Sequence, residues 1–191
     1  MNRRLAIACA ALLALAHGTA HGATLERPDQ HARVLLRDAV SRADSFADRF
    51  DAEVWLTDMT GRLARTVQEP AERVEILRLV HREARLARLE PELVLAVIQV
   101  ESNFDRFAIS SAGARGLMQI MPFWLDEIGR PGDNLFHIAT NLRFGCTILR
   151  HYLDRERGNL ARALARYNGS LGQHWYPRRV VRAWRRQWFA Q

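Results

Sequence analysis

Apolar residues recur at helical spacing along most of this 191-residue chain, and no block shows the alternation of a half-buried strand. The spacing predicts a helix over residues 29–50, with Phe46 and Phe50 on its apolar face, and a short amphipathic helix over 56–63. It predicts another helix from Pro70 to about residue 89, because proline is tolerated in a first helical turn. We therefore predict an all-α fold.

Residues 93–100, which follow Glu90-Pro91 and precede Ser102-Asn103, are apolar on almost all sides. Periodicity alone does not decide between a buried strand and a buried helix for so short a run. The proline at its start and the helical segments on either side favour a helix enclosed by others. We expect this helix to be the core of the fold.

The second half of the chain continues the helical pattern after a loop rich in serine and glycine. A long helix is expected from Ile138 to Tyr152, and Gly158-Asn159 should end it and cap a short helix to Tyr167. The tail over 175–188 should form a last helix, with Val180 or Val181, Trp184 and Trp188 on its inner face.

The first residues have the pattern of a secretory signal peptide, with Arg3 and Arg4 followed by an apolar run to Ala16 and small residues after it. That run is too short to cross a bilayer, so we expect export and no stable membrane span after its removal. The predicted organisation is a signal peptide over 1–23, an N-terminal helical extension over 24–70 and a catalytic domain over 71–191.

The net charge of +7 falls to +5 when Arg3 and Arg4 are removed with the signal peptide. All 28 basic residues are arginine, which indicates composition bias rather than selection at particular sites. The charge is compatible with a carboxylate-rich polymer or an anionic surface, and export argues against nucleic acid. Cys146 is then the one remaining cysteine, so no internal disulfide is expected.

The candidate for chemistry is Glu101, in the last turn of the predicted core helix. The negative end of the helix dipole and removal from water both oppose ionisation, so we expect a raised pKa. A carboxyl group that stays protonated near neutral pH can act as a general acid on a glycosidic oxygen. Most glycosidases need a second carboxyl group. Asp105, Asp126 and Glu127 are candidates for it, and none stands out.

Four motifs resemble those of the soluble lytic transglycosylase family, in the same order along the chain. The first two are the segment 95–102, which ends Glu101-Ser102, and the segment 110–122, which contains Gly116-Leu117-Met118-Gln119. The later two are residues 141–145 and 163–169. The resemblance covers residues 91–170 and implies a lysozyme-like catalytic domain, preceded here by the N-terminal helical extension.

The resemblance also implies an activity and a set of site residues. The activity is cleavage of peptidoglycan between N-acetylmuramic acid and N-acetylglucosamine, with a 1,6-anhydro end formed by the sugar's own hydroxyl. Glu101 would be acid and then base. The implied sugar-binding residues are Ser110, Gln119, Met121, Tyr167 and Asn168, with the Tyr167 hydroxyl beside Glu101. The sequence departs from the family pattern at Phe123-Trp124, at Arg166 and at Gly169-Ser170.

Peptidoglycan glycan strands are thus the expected partner, in the periplasm or at the cell wall, and no metal or organic cofactor is expected. Three other functions stay open. A muramidase or chitinase-like hydrolase of the same fold would need Asp105 to activate water. A glycan-binding module would need no turnover, and nucleic-acid binding through the tail arginines would weaken steeply with salt.

Overall fold

The computed structural model describes residues 45–189, and in this range the secondary structure is helical, without a strand. The prediction of an all-α fold is therefore confirmed. The predicted signal peptide, and most of the helix predicted over 29–50, lie outside the described residues. Residues 45–189 form seven α-helices and one π-helical turn: α1 (Arg49–Leu63), α2 (Pro70–Leu86), α3 (Pro91–Glu101), α4 (Trp124–Ile128), α5 (Ile138–Arg155), α6 (Leu160–Tyr167), α7 (Trp175–Ala183) and the π-turn (Trp184–Trp188).

Helix α3 is the centre of the fold, as the sequence predicted. Every residue from Leu93 to Ile98 is buried, and from Val94 to Ile98 the side chains have no exposed surface. Pro91 occupies the start of the helix, where a missing amide hydrogen costs nothing. Helices α2 and α7 and the π-turn pack around α3. Their apolar faces remove it from water, so it needs no polar side of its own.

Helix α1 presents one apolar face to α2, through Ala52, Leu56, Met59 and Leu63, all at most 1% exposed. The prediction for residues 56–63 is confirmed, but the expectation that Phe50 lies on an apolar face is wrong, since 73% of its surface is exposed. The Asp48 carboxylate accepts a 2.9 Å hydrogen bond from the Asp51 amide, and this N-cap begins a new helix. The inward face is then set by Ala52 and Leu56, and Phe50 lies on the other side.

The later helices follow the predicted pattern with one difference. Ile138, Leu142 and Leu149 of α5 are buried, and the Asn159 side chain caps α6 by accepting from the Arg162 amide. The tail forms two elements, because α7 ends at Ala183 and a π-helical turn follows it. Trp188 has no exposed surface, so the wider turn places this large ring in the core.

Within residues 45–189, neither a membrane-spanning helix nor a metal-binding cluster is present. No helix in this range has both the length and the apolar character needed to span a bilayer. No group of three or more His, Cys, Asp or Glu side chains is arranged to hold a metal ion in the same range. Cys146 is buried, and burial raises the pKa of its thiol far above the usual value, so it is an inert core residue.

Candidate active site

Glu101 is the last residue of α3 and lies half-buried at the end of the apolar core. Burial raises the pKa of its carboxyl group above the usual value. The predicted direction of the shift is confirmed, and desolvation is its physical cause. The position is a consequence of the local sequence: an apolar helix enclosed by neighbours carries its last residue to the edge of the core.

Three polar groups act on Glu101 in the opposite direction. The Tyr176 hydroxyl donates a 2.5 Å hydrogen bond to Glu101 Oε1. This bond, the Asn168 side chain and the positive charge of Arg179 each lower the pKa of the carboxyl group, in that order of size. Burial outweighs them, so the net shift is upward. No acidic residue of the described chain is among the groups that perturb Glu101.

The loop after α3 folds back on itself through short antiparallel bridges, Ile109 with Arg115 and Arg115 with Ile120. The Gln119 backbone has a φ of +50°, a left-handed conformation that is uncommon for a residue other than glycine. Its side-chain amide donates to the carbonyl oxygens of Ala108 (3.2 Å) and Gly116 (3.0 Å). These hydrogen bonds close the loop and stabilise the strained backbone.

Three helices hold the peptide groups of Leu117 and Met118 in this loop. The Ser102 hydroxyl donates to the Leu117 carbonyl at 2.8 Å, and the Met118 amide donates to the Asn141 side-chain oxygen at 2.8 Å. The Tyr167 hydroxyl donates to the Met118 carbonyl at 2.7 Å. The loop is therefore fixed from the end of α3, from α5 and from α6, beside Glu101.

Two glycines allow the close approach of this loop to α5. Gly116 has a φ of +73°, and a Cβ there would lie 2.6 Å from the Leu135 carbonyl oxygen. A Cβ at Gly145 on α5 would lie 2.8 Å from the Met118 Cβ and closer still to its sulfur. Met118 has no exposed surface, so its side chain has no free space into which to move. These close contacts explain why glycine is needed at Gly116 in the second motif and at Gly145 in the third.

The predicted sugar-binding residues lie on the loop and on the end of α6. Ser110 Oγ accepts from the Ala114 amide at 3.1 Å and is half-buried, as are Gln119 and Met121. Asn168 follows α6, and its side chain acts on Glu101. The Tyr167 hydroxyl donates to the Met118 carbonyl rather than to the Glu101 carboxyl group. Burial is the largest cause of the raised pKa of Tyr167, and the nearby charge of Glu101 is the second.

None of the other acidic candidates is hydrogen-bonded to Glu101 within the described residues. Asp105 is exposed, and its Oδ1 accepts from the Phe107 amide at 2.8 Å in a local turn. Asp126 and Glu127 are exposed on the short helix α4. Arg166, one of the departures from the family pattern, forms an ion pair with Glu156 on the outside of α6. Glu101 is thus the half-buried carboxyl group of this site, whereas Asp105, Asp126 and Glu127 are exposed.

Tyr176 and Arg179 are site residues that the sequence reasoning missed. Tyr176 is 1% exposed and lies four residues before the buried Val180 on α7. That spacing places it on the inner face of the predicted tail helix, so its burial could have been predicted. Its contact with Glu101 joins residues 75 positions apart and requires the fold.

A cavity of about 390 Å³ lies elsewhere, between α1 and α2, and is lined by Phe46, Trp55 and His81 among others. The Phe46 ring stacks on His81 with centroids 3.5 Å apart. Burial, and then the charge of Arg85, lower the pKa of His81 to about 4, so it is neutral at physiological pH. The cavity is also lined by Ser45, whose hydroxyl lies 2.8 Å from His81 Nδ1, and by Asp51 and Asp58, and it contains no residue of the Glu101 site. We take Glu101 as the candidate active site because its half-buried carboxyl group has a raised pKa and can serve as an acid.

Proteins similar to this chain are transglycosylases by name. A transglycosylase of Enterobacteria phage PRD1 is 36% identical over 101 residues, which cover 49% of this chain and 37% of that protein. Membrane-bound lytic murein transglycosylase C of Yersinia enterocolitica is 30% identical over 112 residues, covering 50% of this chain and 31% of the relative. The chain therefore spans about a third of the length of these relatives.

A solved structure and a family model are also similar to this chain. The structure is an inactive mutant of lytic transglycosylase Slt from Pseudomonas aeruginosa, with a TM-score of 0.46, 24% identity, and coverage of 78% of this chain and 31% of that one. The model of the transglycosylase SLT domain matches residues 78–186, more than half of the chain. The chain belongs to the transglycosylase SLT family, as its motifs predicted.

Proposed function

We propose that this protein is a lytic transglycosylase that cleaves the β-1,4 bond between N-acetylmuramic acid and N-acetylglucosamine in peptidoglycan. Glu101 donates its proton to the bridging oxygen as the bond from the muramoyl C1 to that oxygen breaks. The muramoyl 6-hydroxyl then attacks C1 and gives its proton to Glu101. The products are a free 4-hydroxyl on N-acetylglucosamine and a 1,6-anhydromuramoyl end, and no water is consumed.

The observation that carries this proposal is the half-buried carboxyl group of Glu101, which is held by the Tyr176 hydroxyl and whose pKa burial raises. A glycosidase that uses two carboxyl groups holds the second within about 5–10 Å of the first. No second carboxyl group of the described residues is hydrogen-bonded to Glu101, and Asp105, the acidic residue nearest to it in sequence, is exposed and accepts from the Phe107 amide. A nucleophile within the substrate removes the need for one, and an intramolecular attack has a large proximity advantage.

The neighbours of Glu101 have distinct proposed roles. Asn168, Ser110, Gln119 and Met121 bind the sugars on either side of the scissile bond; their half-buried positions on the loop and at the end of α6 support this role. Tyr167 contributes by holding the Met118 carbonyl and thereby the loop. Tyr176 positions the carboxyl group through its hydrogen bond.

The test is the product released by the purified protein from intact sacculi and its dependence on Glu101. We expect Glu101→Gln to abolish cleavage while leaving glycan binding and the melting temperature nearly unchanged. Glu127→Gln is the matched control, because Glu127 is exposed on α4. This variant should cleave sacculi as the wild type does. Substantial cleavage by Glu101→Gln would mean that another residue is the acid.

Product mass separates the proposed reaction from hydrolysis by the same fold. The anhydro end is lighter by one water than a hydrolysed reducing end. Asp105→Asn should leave the mass and the rate unchanged, because Asp105 is exposed and bound to its own turn. Reducing ends that disappear with Asp105→Asn would establish a hydrolase instead. Binding without any product would establish a glycan-binding module.

We propose that the protein is exported and that residues 71–191 form its catalytic domain, preceded by a helical extension over 24–70. The signal pattern of the first residues and the names of membrane-bound relatives support export. Cell fractionation with N-terminal sequencing tests it. A mature chain that begins near residue 24 in the periplasmic or cell-wall fraction is the expected result, and an intact Met1 in the cytoplasm would overturn it.

A further inference from the structure

Trp175, at the start of α7, exposes a large ring in a fixed orientation. Its indole is 48% exposed, although a ring of this size normally gains stability by burial. The indole Nε1 donates a 2.7 Å hydrogen bond to Gln173 Oε1, and the ring stands edge-on to Tyr176 at 5.8 Å between centroids. The ring is therefore held from two sides while part of its surface faces solvent. Such a surface is available to the C–H face of a sugar.

Arg179 follows Trp175 by one helical turn and also lies near Glu101. It is exposed, and no carboxylate of the described chain forms an ion pair with it. By contrast, Arg62, Arg143 and Arg166 each have an acidic partner. The charge of Arg179 acts on both Glu101 and Tyr176. A cation without an ion-pair partner thus stands beside the proposed catalytic acid.

Helical geometry places these two side chains on the same flank of the site. Residues four apart on a helix are neighbours, and Arg179 is four residues after Trp175 and three after Tyr176. At 100° per residue, Arg179 projects between the other two. Tyr176 reaches Glu101 directly, so the indole and the guanidinium border the same side of the carboxyl group.

We propose that Trp175 and Arg179 form a subsite beside Glu101 that binds a sugar unit carrying a carboxylate. The indole stacks on the sugar ring, and the guanidinium pairs with the carboxylate in its planar, two-pronged geometry. The inference rests on the proposed function, because muramoyl units are the carboxylate-bearing sugars of that substrate. The carboxylate comes from the peptide stem or, where the stem has been removed, from the lactyl group.

The experiment measures binding rather than turnover, in the Glu101→Gln background, by titration calorimetry. The three ligands are soluble glycan strands with their stems, strands whose stems an amidase has removed, and strands whose carboxylates have been converted to neutral amides. We expect Arg179→Gln to weaken binding of carboxylate-bearing strands about tenfold, as the loss of one charge-assisted contact predicts. Its effect on the neutral strands should be less than twofold.

A matched set of variants separates charge from geometry. Arg182→Gln removes an exposed arginine three residues further along and should change binding less than twofold. Arg179→Lys keeps the charge without the fork and should be intermediate. A tenfold loss only with stem-bearing strands identifies the stem as the carboxylate source. A loss with the stripped strands alone identifies the lactyl carboxylate, which is an amide while the stem is attached, and a loss with both kinds of strand means that the guanidinium pairs with either carboxylate.

The stacking half of the subsite has its own variants. Trp175→Ala should weaken binding of all three ligands about equally, because stacking does not depend on the carboxylate. Trp175→Phe should retain part of the affinity. Phe50→Ala is the control, since Phe50 is an exposed aromatic residue on α1, 73% exposed and not part of the Glu101 site.

Two results would overturn the subsite. One is an equal loss for Arg179→Gln on charged and neutral strands, which would mean that Arg179 does not recognise the carboxylate. The other is unchanged binding for Trp175→Ala. Failure of the proposed function gives a different result, because the protein with Glu101 intact would then release no anhydro product while the dependence of binding on Arg179 persisted.

Discussion

The protonation state of Glu101 depends on two opposing influences, and their balance sets the pH range in which it can act as an acid. Burial raises the pKa of the carboxyl group, and the Tyr176 hydrogen bond lowers it. A general acid must be protonated in the free enzyme, so kcat/KM falls as pH rises through its pKa. The alkaline side of the pH profile therefore reports the balance at this residue.

We expect Tyr176→Phe to move that alkaline limb to higher pH. The variant keeps the ring in the core but removes the hydrogen bond that stabilises the carboxylate, so the pKa of Glu101 rises further. The measurement is kcat/KM between pH 4 and 9. Tyr167→Phe is the comparison, because its hydroxyl binds the Met118 carbonyl and should lower kcat by a modest factor without moving the limb. An unmoved limb in Tyr176→Phe would contradict the assignment.

The two tyrosines also show what could be predicted about single residues. The raised pKa of Glu101 could be predicted because its causes are local: an apolar helix and its last turn. The hydrogen bond from Tyr176 could not, because it depends on how α7 packs across the end of α3. Family resemblance identified Tyr167, but it did not distinguish a bond to the carboxyl group from a bond to the Met118 backbone.

At the scale of elements, the chain carries local signals for its helices but few for the loop over residues 103–123. Pro70, Pro91 and Asn159 mark helix starts through their own backbone or side-chain preferences, and the structure has helices there. The loop is held by Ser102, which directly follows α3, by Asn141 of α5 and by Tyr167 of α6. Its conformation is a tertiary property, so the sequence predicted a loop but not its shape.

A glycine-to-alanine substitution should have opposite effects at two helical glycines, because a methyl group at Gly145 would meet this loop and one at Gly61 would meet nothing. Gly145→Ala places a methyl group against the buried Met118, and overpacking should cost roughly 1–3 kcal/mol of stability and lower the cleavage rate. Gly61→Ala on α1 meets nothing within 4 Å and should stabilise the protein by roughly 0.5–1 kcal/mol. Urea unfolding at neutral pH measures both. A neutral Gly145→Ala would mean that the loop is free to move away from α5.

At the scale of the whole molecule, helix α1 and the C-terminal turn form a contact that lies partly outside the family match. The match begins at residue 78 and ends at 186, whereas Arg62 donates to the carbonyl oxygens of Gln187 (2.8 Å) and Phe189 (3.1 Å). The Gln187 side chain accepts a 2.7 Å hydrogen bond from Gln99, and Gln99 accepts one of the same length from Trp188. The contact therefore reaches α3, two residues before Glu101.

This contact could not be predicted from the pattern of apolar residues. The buried face of α1 was visible as Leu56, Met59 and Leu63, but a surface arginine gives no sign of which carbonyl groups it will meet. The π-turn was also unpredictable, because its residues have ordinary helical spacing and the turn widens only to place Trp188 among Phe104 and its neighbours.

We expect Arg62→Ala to destabilise the protein by roughly 1–2 kcal/mol, since it leaves two carbonyl groups of the C-terminal turn without their charged donor. This expected loss of stability lies at the low end of the range for hydrogen bonds from charged donors, because the Arg62 side chain is 26% exposed. Urea unfolding followed by tryptophan fluorescence measures it. Arg65→Ala, two residues beyond the end of α1 at an exposed position, should change stability by less than about 0.5 kcal/mol.

The same variants separate a structural role of the contact from a positioning role. If the contact helps to hold α3, Arg62→Ala should lower kcat more than it raises KM at a temperature where the protein is fully folded, because Gln99 lies on the helix that carries Glu101. Arg62→Lys should be more stable than Arg62→Ala but less stable than the wild type, because the lysine ammonium group should reach only one of the two carbonyl groups. Equal stability of Arg62→Ala and Arg65→Ala would mean that the C-terminal turn is held by the burial of Trp188 alone.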